Sequence, residues 1–105
     1  MTEIIRTNIG VTTYLTPTGS ISDKESIAAL RTAFDESIEA GAKKLVVVME
    51  RVPSLTGEVL EFLLDMQDAL AARGGQLTVT QPNALLKDIF KITDFEKYIE
   101  VKDRP

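Results

Sequence analysis

The sequence predicts an α/β fold: a mixed, mostly parallel sheet of four to five strands, with an N-terminal hairpin and three to four helices. Three stretches carry that expectation. Leu45-Val46-Val47-Val48-Met49 is an unbroken apolar run without polar alternation, the pattern of a central strand covered on both faces. The segment Val59 to Leu70 has helical spacing, with Val59, Leu60, Phe62, Leu63, Leu64, Met66 and Leu70 filling one wide stripe. Glu58, Glu61, Asp65 and Asp68 fall on the opposite side. Two β-leaning runs, Thr2 to Thr7 and Val11 to Thr16, flank Asn8-Ile9-Gly10 and read as a hairpin, because Asn and Gly tolerate the left-handed backbone of a tight reversal.

Composition bounds the chemistry. The 105 residues suit one domain, 1–105, with enough burial for a core without staples. There is no cysteine and no histidine, which removes disulfides, thiol nucleophiles, thiolate metal sites and any scheme that needs an imidazole. The net charge of -4 argues against nucleic acid or an anionic membrane as a partner, since both need concentrated Lys and Arg. Met1-Thr2-Glu3-Ile4-Ile5-Arg6 has neither the basic start nor the apolar core of a signal peptide, and no run approaches the ~20 residues of a membrane span. A cytoplasmic protein without membrane insertion is expected.

In chain order, Pro17-Thr18-Gly19 ends the second strand. Ser22-Asp23-Lys24-Glu25 has capping-box spacing, with Ser22 as cap and Glu25 reaching back. The helix that follows buries Ile27, Leu30, Phe34 and Ile38 and stops at Gly41. Arg73-Gly74-Gly75 closes the second helix with a left-handed stop. In Gln76 to Gln81, Leu77 and Val79 point one way and Thr78 and Thr80 the other, so one face of this strand is wet or meets something polar. Pro82-Asn83 opens a short helix, capped by Asn83, that buries Leu85, Leu86, Ile89 and Phe90. Thr93-Asp94 turns the chain into a last packed segment near Tyr98-Ile99.

From Leu15 to Val101 the order β-β-α-β-α-β-α-(β) and its punctuation resemble the STAS domain, the fold of bacterial anti-sigma factor antagonists that also occurs on sulfate transporters and in stress-signalling scaffolds. Gly19-Ser20-Ile21-Ser22 is similar to the family's Gly-x-Leu-Asp segment. Leu45 to Met49 with Val52-Pro53-Ser54-Leu55 is similar to its central strand and turn. Arg73-Gly74-Gly75-Gln76-Leu77-Thr78-Val79, Pro82 and Ile92-Thr93-Asp94-Phe95 follow its closing order. The resemblance implies a protein-binding, partner-switching module of signal transduction and transcription regulation. Its implied partners are an anti-sigma factor, a serine kinase of the ATPase type or a scaffold subunit, with a homodimer as a further alternative. The alternative is a structural STAS subunit docked in a signalling scaffold or lipid-transport complex.

The departures fall at the site. Antagonists carry Asp-Ser-Ser/Thr-Gly-Leu-Gly where this sequence has Thr56-Gly57-Glu58-Val59-Leu60-Glu61, so the resemblance implies a switch site whose acceptor serine has become Gly57. Their strand Asp has become Val48. Ser54, Thr56, Gly57, Glu58 and Glu61 are the expected partner-binding residues, and Thr56 and Ser54 the hydroxyls still able to accept phosphate. Each has an ordinary structural role as well: Thr56 as helix cap, Ser54 as turn residue, Gly57 as the means of a sharp helix entry, and the acids as a solvated face. The acidic row contains no i to i+4 Lys or Arg, so its like charges cost a few tenths of a kcal/mol per pair unless a basic partner meets them. Catalysis is not expected. Nothing near Glu50, Glu58 or Glu61 supplies a nucleophile or buried acid–base pair, and Glu58, Glu61 and Asp65 on one solvated helix make a weak metal cage, so no cofactor or metal is assigned.

Overall fold

A computed structural model describes residues 2–104. Strand β1 (Glu3–Ile9) and strand β2 (Thr12–Thr18) form the hairpin, followed by helix α1 (Lys24–Glu39) and strand β3 (Lys44–Val48). Helix α2 (Gly57–Ala71), strand β4 (Gln76–Thr80), helix α3 (Ala84–Ile92), a 3-10 turn (Phe95–Lys97) and strand β5 (Glu100–Lys102) complete the chain. The five strands lie in sequence order, β1 antiparallel to β2 and the rest parallel, so β3 is the central strand.

The hairpin is longer than expected and turns elsewhere. Ile9 faces Thr12, leaving Gly10-Val11 as a two-residue loop. Gly10 has φ 61 and Val11 is not left-handed, the glycine-first arrangement that matches the strands' own twist. Pro17 sits inside β2 rather than ending it. Pairing of β2 with β3 stops at Leu15, so a missing N–H at position 17 interrupts no ladder.

The expected two-sided cover of the central strand is not found. With the strands in sequential order and each parallel crossover of the usual right hand, α1, α2 and α3 all land on one face of the sheet. Beneath them Leu15, Leu45, Val47, Leu77 and Val79 are fully buried. On the other face Tyr14, Val46 and Thr78 are only half-buried, in one row across β2, β3 and β4. The Leu77/Thr78 alternation in β4 indicates such a wet face, and it holds for Tyr14, Val46 and Thr78; at the carboxyl end of the same face Val48 and Thr80 are buried, so the expectation fails for Thr80.

The α1 cap is shifted by one residue. Asp23, not Ser22, is the N-cap: its carboxylate accepts from the Ser26 N–H at 2.7 Å, and the Ser26 hydroxyl accepts from the Asp23 N–H at 3.1 Å. Ser26 therefore takes the place given to Glu25, which remains exposed. The predicted Leu30 and Phe34 are buried and Ile27 and Ile38 half-buried. In α3, Asn83 caps through Leu86 N–H at 2.8 Å as expected. Leu85, assigned to the buried side, is instead 52% exposed, while Leu86 and Phe90 fill the core. Phe90 stacks on Phe95 with centroids 4.6 Å apart, and Ile99 but not Tyr98 is buried in the closing segment.

Candidate functional site

The site region is the corner where β3 hands over to α2, at the carboxyl edge of the sheet, where open α/β sheets place their functional surface. Val52 and Leu55 point inward and are buried, so Pro53, Ser54 and Thr56 are turned toward solvent. The loop is braced from two sides. On one, Gly19 N–H donates to the Arg51 carbonyl at 2.9 Å and Ile21 N–H to the Ser54 carbonyl at 3.2 Å, and an isolated parallel bridge joins Ile21 to Leu55. The Ser20 and Ser54 hydroxyls share a hydrogen bond at 3.0 Å. On the other, Asn83 Nδ2 donates to the Pro53 carbonyl at 3.1 Å and Gln81 Nε2 to Glu50 Oε2 at 3.3 Å.

Gln81 is held left-handed at φ 56, a conformation that costs a non-glycine residue about 1–2 kcal/mol. Its N–H bonds the Lys102 carbonyl at 2.9 Å, and the turn aims its amide at Glu50. Strain of this kind is stored beside the corner and held by surrounding bonds. Sequence reasoning missed Gly19, Ser20 and Gln81 as braces and assigned Asn83 only its cap. The signal present was the Gln81-Pro82 junction, which marks a turn but not its target.

All five predicted site residues come together here, with two roles changed. Thr56 occupies the N-cap position of α2 in extended backbone, yet its side chain makes no cap hydrogen bond; its carbonyl accepts from Val59 and Leu60. The hydroxyl assigned to capping is thus not engaged with the helix. Gly57 has no left-handed φ, and a Cβ built there meets nothing within 4 Å. The helix entry therefore does not require glycine. Ser54 keeps its turn role through its carbonyl and its bond to Ser20.

Glu58, Glu61, Asp65 and Asp68 are all exposed along the outer face of α2, and none has a cation within ion-pairing distance among the described residues. The Arg31 guanidinium of α1 lies 4.6 Å from the Phe62 ring centroid, and Phe62 packs edge-on against Phe34. Among the described residues no group of three or more acidic, His or Cys side chains is arranged to hold a metal ion, and no helix is long and apolar enough to cross a membrane. Two depressions of about 410 and 400 Å³ lie away from the corner, one between the hairpin tip and the end of α1, the other on the open face of the sheet. Neither is lined by any residue from Glu50 to Glu61.

Comparison with known proteins places this geometry among relatives. A family profile described as Mlab, STAS domain, matches residues 11–101. An anti-sigma factor antagonist from Mycobacterium paratuberculosis superimposes with a TM-score of 0.86 at 16% identity, over 98% of this chain and 86% of that one. The anti-sigma factor antagonist SpoIIAA in its unphosphorylated form gives 0.77 at 14% identity, over 98% and 90%. A sulfate transporter family protein from Wolinella succinogenes gives 0.78 at 19% identity, over 91% and 80%. A search of curated protein sequences gives no significant match.

Proposed function

The chain belongs to the STAS domain family, and from that premise we propose that it is a cytoplasmic protein-interaction module that docks a basic protein surface at the β3–α2 corner, without a phospho-switch at position 57. One observation carries the reading. The corner presents an unbranched approach at Gly57, an uncommitted hydroxyl at Thr56 and the unpaired carboxylates of Glu58 and Glu61, on a loop immobilised by bonds from Gly19, Ile21, Gln81 and Asn83. A rigid, exposed surface carrying charge of one sign is suited to recognition rather than turnover. The partner is a protein, an anti-sigma factor or ATPase-type serine kinase by analogy with the antagonists, and neither nucleic acid nor a membrane interior suits the charge.

Gly57 has no side-chain oxygen, so a kinase has nothing to modify there; Thr56 and Ser54 are the neighbouring hydroxyls on which phosphate would fall. This favours the second reading, a constitutively docked STAS subunit of a larger assembly. The test captures partners from the source cells with the tagged chain and with Glu58→Lys/Glu61→Lys, at ionic strengths on either side of the ~0.1 M where the Debye length is about 10 Å. The wild type should retain a partner that the variant loses, with the difference shrinking at high salt. Equal capture by both chains overturns the docking face. Mass spectrometry of the same samples decides the switch: stoichiometric phosphate on Ser54 or Thr56 overturns the constitutive reading.

A further inference from the structure

The two edges of the sheet are protected very differently. Strand β5 is three residues long, and Lys102 on it pairs with Glu100 at 3.5 Å. A short edge carrying lysine resists further pairing. Strand β1 has seven residues, Glu3-Ile4-Ile5-Arg6-Thr7-Asn8-Ile9, with no lysine, proline or bulge, and among the described residues β2 is its sole sheet neighbour. Ile5, Ile9 and the adjoining Val11 are 58%, 63% and 78% exposed. Arg6 and Asn8, on the helix side of β1, are exposed too, although α1 passes over the strand and Ile4 packs beneath it.

We propose that β1 pairs antiparallel with β1 of a second copy, Thr7 facing Thr7 on the dyad, to give one continuous ten-stranded sheet. The backbone selects that register. In a two-residue hairpin the closing pair, here Ile9 and Thr12, exchanges hydrogen bonds, and bonded pairs then recur at every second residue: Thr7–Tyr14, Ile5–Thr16 and Glu3–Thr18. The bond from Gly19 N–H to Arg51, away from β1, agrees with this phase. The N–H and C=O groups of Ile4, Arg6 and Asn8 therefore point outward, and a second strand must offer its own outward groups to them.

A dyad perpendicular to the sheet keeps like faces together, which leaves few registers. Centring on Arg6 sets two guanidinium groups opposite each other. Centring on Ile5 sets Ile4 against Arg6. Centring on Ile4 sets Ile5 against Glu3. Centring on Thr7 bonds Arg6 with Asn8 of the other copy and brings Ile5 against Ile9 twice, in the closely spaced non-bonded positions where side chains pack best. A five-residue pairing buries less than about 1,200 Å² in total, the size of a weak, transient contact that forms only as concentration rises. Strand β2 separates β1 from β3, so this contact and docking at the corner use different residues and fail independently.

Sedimentation over a concentration series should show the mass rising from the 11.6 kDa of one copy to twice that. Arg6→Pro removes only an outward N–H and should hold the chain monomeric with its circular dichroism unchanged. Because the sequence has no cysteine, register is read by single thiols: under oxidation Thr7→Cys should cross-link to a covalent dimer several-fold more than Ile5→Cys, since only position 7 faces itself. A mass that stays at one copy throughout, a dimer that survives Arg6→Pro, or equal cross-linking at positions 5 and 7 would each overturn the proposal.

Discussion

Gly57 and Gly75 bracket α2, and the fold treats them in opposite ways. An alanine Cβ at Gly75 would overlap the carbonyl oxygen of Lys43 and lie 3.1 Å from its carbonyl carbon and Cα. Those atoms are backbone, so no rotamer change relieves the overlap, and the start of β3 or β4 must shift. The same carbonyl accepts from Gln76 N–H at 2.8 Å, and Gly75 N–H bonds the Leu70 carbonyl at 2.7 Å. Overpacking of this kind costs about 1–3 kcal/mol, and a weakened hydrogen bond adds about 1 kcal/mol. The smaller unfolded-state entropy of alanine returns about 0.4–1 kcal/mol. Gly75→Ala should therefore lose about 2–3 kcal/mol, which at ~4–8 °C per kcal/mol lowers Tm by roughly 10–20 °C. Gly57→Ala, with open space and no left-handed φ, should gain up to about 1 kcal/mol and raise Tm by a few degrees. Thermal and urea unfolding followed by circular dichroism measure both. A Gly75→Ala chain melting with the wild type, or a Gly57→Ala chain falling as far as Gly75→Ala, would refute the packing argument.

Leu63 is fully buried on the inner face of α2, so Leu63→Ala should cost about 2–5 kcal/mol by urea unfolding. Thr56→Ala removes no cap hydrogen bond and should stay within about 0.5 kcal/mol of wild type in the same assay, below the usual loss at a working cap. The Asp23 carboxyl is held below its usual value, first by the Ser26 N–H and then by the Ser26 hydroxyl. A lowered folded-state pKa stabilises above the unfolded value of about 3.9, and that contribution is lost as pH falls through the folded value. The urea midpoints of wild type and Asp23→Ala should thus differ at pH 7 and converge below about pH 4; a constant gap would mean the carboxylate charge is not involved.

How far the sequence revealed this fold depended on the range of the interaction that decides each feature. Element order and the apolar stripe of α2 were legible because periodicity is local: Val59, Leu60, Phe62, Leu63, Met66 and Leu70 are buried as their spacing required. The hairpin was legible in kind but not in its turn, since Gly10 sits at the first of two loop positions and the ladder extends to Ile9 and Thr12 around it. The cap of α1 was misread because Ser22 and Asp23 both suit a cap, and the choice rests on Ser26, which is 3% exposed and closes the box from within. The open sheet face was legible in β4 but missed at β3, for a topological reason. An apolar run such as Leu45 to Met49 shows that a strand is central, but coverage depends on whether successive crossovers fall on one side or two. Here β2, β3, β4 and β5 are neighbours in order, so every helix returns to the same side.

The corner shows the same division. Its residues were recognisable one by one, yet its rigidity comes from partners 30 to 34 positions away, Asn83 on Pro53 and Ser20 on Ser54, which no local pattern encodes. Its least expected residue then gains meaning from what the fold does not ask of it. Glycine at the exposed start of a helix forgoes up to about 1 kcal/mol of propensity, and at position 57 neither a steric contact nor a left-handed φ offsets that loss. Gly75, by contrast, is fixed by Lys43. Since the backbone would accept a serine at position 57 without strain, the missing oxygen is not a requirement of folding, and its consequence falls on whatever meets the surface. Gly57→Ser is accordingly the cleanest probe of that surface: it should leave the melting temperature at or above the wild-type value while adding a hydroxyl in the open space beside Thr56. Loss of partner capture with the fold intact would place Gly57 in the contact, and undiminished capture would exclude it.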